Sequence, residues 1–340
     1  MPNIIAAIIA FSVMIVVHEL GHFLVAKRVG ITVHAFAVGF GPRLFGFKSG
    51  ETTYAINALP FGGYVRMAGE DLDDTGEAGS FRAMSVWQRM AVVVAGPAMN
   101  LLLALLLLMS TALALGVPVG VSNRVGQLMP GWPAEQVGIR PGDLIVAIDG
   151  EPMDSGQEVI DTIHSRPDQE LRLTVERGGQ RIEFTVRSRL DREQNIGLIG
   201  FRPEAIRERM GPSQALAWAL GTVVETVDVI FTTLVGLFRE GRGVFDQLAG
   251  PVGAVRFLGE AGAAGAEIFI YTAAALSIMI GVFNLLPFPA LDGGRLLFLV
   301  FEAVRRRPVD PKREGYIHLV GFALLILLLL TLTVRDIGKL

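Results

Sequence analysis

Three side chains able to handle a metal ion and its water fall within one short stretch, VVHELGHFLVAKR, Val16 to Arg28: His18, Glu19 and His22. On a helix, positions i and i+4 share a face, so both imidazoles can bind one metal ion. Glu19 is rotated about 100° from His18, where its carboxylate can reach a water on that metal without being a ligand. The chemistry this pattern suits is hydrolysis by metal-activated water. The plainer reading is two packing histidines and a snorkelling glutamate. The chain has only 5 histidines, which makes a chance HExxH uncommon.

Catalytic zinc takes three protein ligands and leaves one position for water, so a third ligand is needed. With no cysteine in the sequence it must be His, Asp or Glu. His34, His164 and His318 are the remaining histidines. Asp292 is the stronger candidate: in NLLPFPALDGGRL, Asn284 to Leu296, an apolar run breaks at Pro287 and Pro289 and presents a carboxylate before two glycines. The bland alternative is an Asp-Gly-Gly turn leading into a helix.

The elements that must position these groups are membrane helices. Of 340 residues 51% are hydrophobic and 19% charged, with a mean hydropathy of +0.49, where soluble domains carry about 25% charged residues. A net charge of -3 supplies no basic field, which excludes nucleic acid as a partner. A helix of about 20 apolar residues crosses a bilayer core. Segments 91–117, 268–286 and 316–334 qualify, and 3–26 is long enough while carrying the polar triad. Ionisable groups in a span cost about 2.5–3.5 kcal/mol each on insertion scales and usually mark function. A cleaved signal peptide would want a basic start, and no Lys or Arg precedes Lys27.

Segment 215–238 is apolar but holds Glu225 and Asp228. Loop charges decide its expected place. Lys27, Arg28, Arg43, Lys48, Arg66, Arg82 and Arg89 lie between the first two spans, and Arg305, Arg306, Arg307, Lys312 and Arg313 precede the last. The positive-inside rule puts both sets in the cytosol, with an even number of crossings between them. Segment 215–238 is therefore expected to lie in the membrane surface. Both termini and residues from about 118 to 265 then face outside, which removes His164 as a ligand.

Residues 52–67, TTYAINALPFGGYVRM, read as edge strands or a hairpin with the preceding FGPRLFGFKSGE. GEDLDDTGEAGS, 69–80, reads as a solvated connector. In VGIRPGDLIVAIDGEPM, turn signals bracket a buried strand at 144–148; a helix is expected at 156–164, and LRLTVERGGQRIEFTV, 171–186, has the form of a tight hairpin. These residues resemble a bacterial PDZ domain, which binds an extended chain beside a strand.

HELGH, AGPAMN (95–100), LAGPVG (248–253) and NLLPFPALDGG, in that order around a PDZ domain, resemble the site-2 protease family in its bacterial RseP-type branch. The resemblance runs almost end to end. It implies zinc bound by His18, His22 and Asp292, with Glu19 as general base. It implies more weakly that Asn284, Pro287, Pro289 and Asn100 line the site, although Gly96 and Asn100 also suit close helix packing. Gly62 and Gly63 fall in a strand region similar to the family's membrane-associated β-loop, which pairs with an unwound substrate. One PDZ domain stands where some relatives carry two.

The expected fold class is a polytopic α-helical membrane protein with four transmembrane helices, a β-loop region and one extracytoplasmic PDZ domain of α+β type. Its expected parts are a first transmembrane helix (1–29), a cytosolic-side β-loop region (30–89), a second helix (90–117), the PDZ domain (118–195), an interfacial region (196–265), a third helix (266–294), a basic cytosolic loop (295–315) and a fourth helix (316–335). The expected activity is zinc-dependent cleavage of transmembrane segments in the bacterial inner membrane, with the active site near the cytosolic side. Expected partners are the lipid bilayer and single-span substrates such as pre-cleaved anti-sigma factors or signal-peptide remnants. The alternatives are an intramembrane metal transporter and an inactive PDZ scaffold.

Overall fold

The structure is a computed structural model that describes residues 2–69, 79–192, 194–240 and 250–338. Most of the acidic connector expected at 69–80, and the first two residues of LAGPVG, lie outside the described residues. In chain order the elements are α1 (Pro2–Arg28), β1 (Val33–Ser49), β2 (Thr52–Met67), α2 (Val86–Leu115), β3 (Val117–Leu128), α3 (Pro133–Gln136), β4 (Leu144–Ile148), β5 (Glu151–Pro152), α4 (Gly156–His164), β6 (Glu170–Arg177), β7 (Gln180–Arg187), β8 (Arg189–Asp191), β9 (Ile196–Leu198), β10 (Phe201–Glu208), α5 (Pro212–Glu240), α6 (Pro251–Ala264), α7 (Ala266–Asn284), α8 (Asp292–Arg305) and α9 (Pro311–Gly338). They form two compact units, Met1–Thr111 with Ser213–Leu340, and Ala112–Pro212.

In the helical unit, α1 and α2 run antiparallel, with His22 beside Val92 and His18 beside Asn100. Close approach depends on small residues, as it must where lipid removes the hydrophobic drive between helices: a Cβ on Gly21 would overlap the Ala95 carbonyl. The Ser277 hydroxyl donates to the Asn100 carbonyl at 2.8 Å, which seats α7 against α2. At the far end, Asp336 of α9 accepts from the backbone N–H groups of Gly250 and Gly253 at 2.9 and 2.8 Å, and Gly259 of α6 sits by Asn3 and Ile4 of α1. The start of α1 and the end of α9 therefore share one end of the bundle. His18, His22 and Asp292 lie towards the other.

Among the described residues five helices are long and apolar enough to cross a membrane, one more than the four expected. The fifth is α5, whose hydropathy of 1.5 is the lowest of the set. It has a buried seam: Ala219 joins Ala104, Leu108, Ala274 and Ile278 in one cluster, with Trp218, Val223, Val227 and Ile230 packed against it.

β1 and β2 curl on each other. Phe36 pairs with both Val65 and Tyr54, so the start of β1 lies between the two ends of β2. Val33, Val65 and Met67 bury their side chains with Ala26 and Val92. Phe40, Leu44, Phe45, Phe47, Ile56 and Leu59 are exposed at the far end of the hairpin.

In the second unit the strand order is β10-β3-β4-β6-β7, with β5 paired to β4. The alternation in β6 puts Leu171, Leu173 and Val175 inside with Ile145, Ile148 and Val186. Each such side chain contributes about 1.5–3 kcal/mol on burial. The expected strand 144–148, helix 156–164 and hairpin 171–186 are all present. The unit runs past the expected boundary at 195, because β10 closes the sheet against β3.

Candidate metal centre

The metal-ligand positions expected from sequence converge. His18 Nε2 lies 3.1 Å and His22 Nε2 3.3 Å from Asp292 Oδ2, and the two Nε2 atoms are 3.2 Å apart. Among the described residues these three make the one group of ligand atoms that could hold a metal ion. A tetrahedral ion with bonds of about 2.0–2.1 Å holds its ligand atoms about 3.3–3.4 Å apart, so the set fits zinc. Asp292 Oδ2 is buried and makes no hydrogen bond, as suits a lone pair aimed at a cation.

Second contacts aim the two rings. His22 Nδ1 is 2.8 Å from the Val92 carbonyl. A carbonyl only accepts, so Nδ1 carries the proton and Nε2 offers its lone pair inward. His18 Nδ1 is 3.4 Å from the Asn100 amide, whose Oδ1 is otherwise buried without a partner. Turning that amide over lets Oδ1 accept from Nδ1–H and frees His18 Nε2 in the same way.

Two glycines make room on the helix seams. A Cβ on Gly96 would overlap His22 Nε2 and stand 2.9 Å from His18 Nε2. Gly293 meets the Leu285 and Leu286 carbonyls so closely that no Cβ fits, so Asp-Gly-Gly is a contact between α8 and the end of α7 as well as a turn. Arg89 on α2 holds α8 through both carboxylate oxygens of Glu302, at 3.1 and 2.5 Å.

Glu19 lies beside Gly63, where an added Cβ would be 3.3 Å from Glu19 Cγ. Gly63 begins the 63–67 strand, whose outer edge pairs with no other strand among the described residues. The other expected lining residues have different neighbours. Gly62 faces the Phe40 ring and Pro289 packs on Gly321. Asn284 donates to its own helix at the Ile280 carbonyl, 2.9 Å away, and Pro287 is exposed.

Sequence reasoning read Gly96 only as close helix packing, Arg89 only as a loop charge and His318 only as a weaker candidate ligand than Asp292, and it gave Val92 and Glu302 no role. Gly96 carried a signal: a glycine inside a helix costs roughly 1 kcal/mol against alanine, so something there needs the space. A backbone carbonyl such as that of Val92 carries none.

The profile of Peptidase family M50 matches residues 6–328. Zinc metalloprotease RasP of Geobacillus kaustophilus is 34% identical over an alignment covering 100% of this chain and 98% of its own. Regulator of sigma-W protease RasP of Bacillus subtilis is 32% identical, with 99% of both chains covered. The crystal structure of the PDZ domain of an SdrC-like protein of Listeria monocytogenes is 30% identical, covering 25% of this chain and 86% of its own, at a TM-score of 0.22.

Proposed function

Because the chain belongs to Peptidase family M50 and is thereby a zinc metalloprotease of the site-2 type, we propose that it cleaves single-span membrane proteins within or beside their transmembrane segments. The observation that carries this reading is the convergence of His18, His22 and Asp292 next to Glu19 and an open strand edge. Zinc held by those three residues supplies Lewis acidity, acidifying water and polarising a carbonyl. Glu19, which is not one of the three converging residues, takes a proton from the attacking water on a carboxylate oxygen and passes it to the leaving amine. The histidines hold their protons on Nδ1, away from the reaction. A helical substrate hides its peptide bonds in its own hydrogen bonds, so it must unwind first. The 63–67 edge offers those freed backbone groups a partner and leads the strand past Glu19.

The membrane topology we propose has four crossings: α1, α2, α7 and α9. The 3.1 Å contact between His18 and Asp292 supports it, since both must lie on one side of the bilayer. A crossing by α5 would need a further return before α7. The 14-residue α6 spans about 21 Å, short of the hydrocarbon core. The PDZ-like unit and both termini then face outside, and the centre lies near the cytosolic leaflet of a bacterial inner membrane. The name of the Bacillus subtilis relative, a regulator of sigma-W, supports anti-sigma-factor-like substrates; the motif resemblance adds that these arrive already trimmed by another protease, with signal-peptide remnants as a second class.

The test is purified protein reconstituted with a tagged single-span substrate, assayed for zinc and cleavage. Glu19→Gln should keep zinc and abolish cleavage; retained cleavage overturns the mechanism. Deleting about 120–190 should alter selectivity while cleavage persists. Loss of function only through that deletion, with Glu19→Gln active, would favour the scaffold reading.

A further inference from the structure

The turn that delivers Asp292 is held from outside by a residue of the last helix. Between α7 and α8 the chain passes through Leu286–Leu291, where Pro287 and Pro289 have no N–H to give. Phe288 N–H donates to the Leu286 carbonyl and Leu291 N–H to the Phe288 carbonyl. Ala290 stands at φ 78°, a left-handed conformation that an alanine adopts only when its surroundings impose it. Its N–H donates to His318 Nδ1 at 2.9 Å. One helical turn further along α9, the Gly321 backbone closes on Pro289 so tightly that an added Cβ would lie 2.6 Å from the Pro289 carbonyl oxygen. Phe298 of α8 flanks the imidazole at 5.6 Å between ring centroids.

His318 is not a ligand itself, since the converging group is His18, His22 and Asp292. Its Nδ1 is used on Ala290, and its Nε2 is buried, 3.9 Å from the Glu314 carboxylate. An acceptor at Nδ1 requires the proton on Nε2, so the ring is neutral when it holds the turn. The same ring lines a cavity of about 700 Å³ shared with Ala290, Asp292, Arg295 and Tyr316. The turn and the ring that holds it therefore face the same open space.

We propose that His318 is a positioning residue: by accepting the Ala290 N–H it fixes the left-handed turn two residues before Asp292 and so sets that carboxylate onto the zinc. The proposal rests on the zinc-protease reading but is tested separately from it. A residue that fixes a ligand's geometry changes metal affinity by about 10–100-fold when lost. An asparagine at 318 can place its amide oxygen close to the position of Nδ1, whereas a glutamine places its oxygen farther out, near that of Nε2.

The experiment compares the full-length protein with His318→Asn, His318→Gln and His318→Leu in detergent. Zinc affinity is read by chelator competition, and the ligand field by the visible spectrum of the cobalt(II)-substituted protein. Cleavage of the single-span substrate is read in parallel. His318→Leu and His318→Gln should lose about 10–100-fold in zinc affinity and shift the cobalt bands. His318→Asn should return both to near the parent values. Equal zinc affinity and spectra across all four proteins overturn the proposal, and so does an asparagine variant no better than glutamine. If the parent binds zinc in this order of variants yet cleaves nothing, the protease reading fails and the role of His318 stands.

Discussion

Asn100 and His18 meet across the α1–α2 seam, the amide of one 3.4 Å from Nδ1 of the other, with both side chains buried. This contact decides which nitrogen of His18 turns towards His22 and Asp292. Asn100→Leu should weaken zinc binding by about 10–100-fold. Asn100→Asp should keep it, because a carboxylate accepts the same Nδ1–H. Zinc competition on both variants checks this, and equal loss in the two would show that the amide serves packing instead.

Gly96 sets how deeply the two imidazoles can lie against α2. Gly96→Ala places a methyl group on His22 Nε2, and α2 cannot back away while Gly21 is locked on the Ala95 carbonyl. The expected result is loss of bound zinc and of at least about 100-fold in cleavage, with helix content by circular dichroism unchanged. A zinc-replete, active Gly96→Ala protein would contradict the geometry.

Gly63 separates the strand edge from Glu19. Gly63→Val crowds Glu19 Cγ and the Ala37 carbonyl while leaving His18, His22 and Asp292 alone. Cleavage should fall by about 10–100-fold, the scale of mispositioning a reacting group, with zinc affinity preserved. Parallel loss of zinc would mean that the strand supports the metal centre rather than the substrate.

The PDZ-like unit has its own pH dependence. Burial by itself would raise the pKa of Asp143. The hydrogen bonds from Arg177 and the Arg140 backbone, with the charges of both arginines, bring it below the ordinary carboxylate range. A depressed folded-state pKa contributes stability that is present above the unfolded value, near 4, and lost as pH falls through the folded one. Hydrogen exchange on the full-length protein, corrected for intrinsic rates, should show protection in β4 and β6 declining as pH drops below about 4. Asp143→Asn should flatten that decline and lower protection at neutral pH; an unchanged profile would remove Asp143 as its source.

Much of the protein was legible in its sequence because the signals are local. The i, i+4 histidines need only a helix to face one way, apolar runs of about 20 residues need only a bilayer, and the alternation Leu171, Leu173, Val175 needs only a sheet with one dry face. Asp292 could be singled out from the paired prolines and glycines around it. Tertiary structure decided the rest. It brought Asp292 to within 3.3 Å of both imidazoles, placed Gly63 by Glu19, and set His318 of the last helix under Ala290. It also packed a seam of α5, the segment that loop-charge parity places in the membrane surface, against α2 and α7. Such contacts join residues far apart in the chain through backbone carbonyls, missing Cβ atoms and single amide orientations. None of those leaves a periodic trace: a glycine inside a helix marks that space is needed, and only the fold shows what fills it.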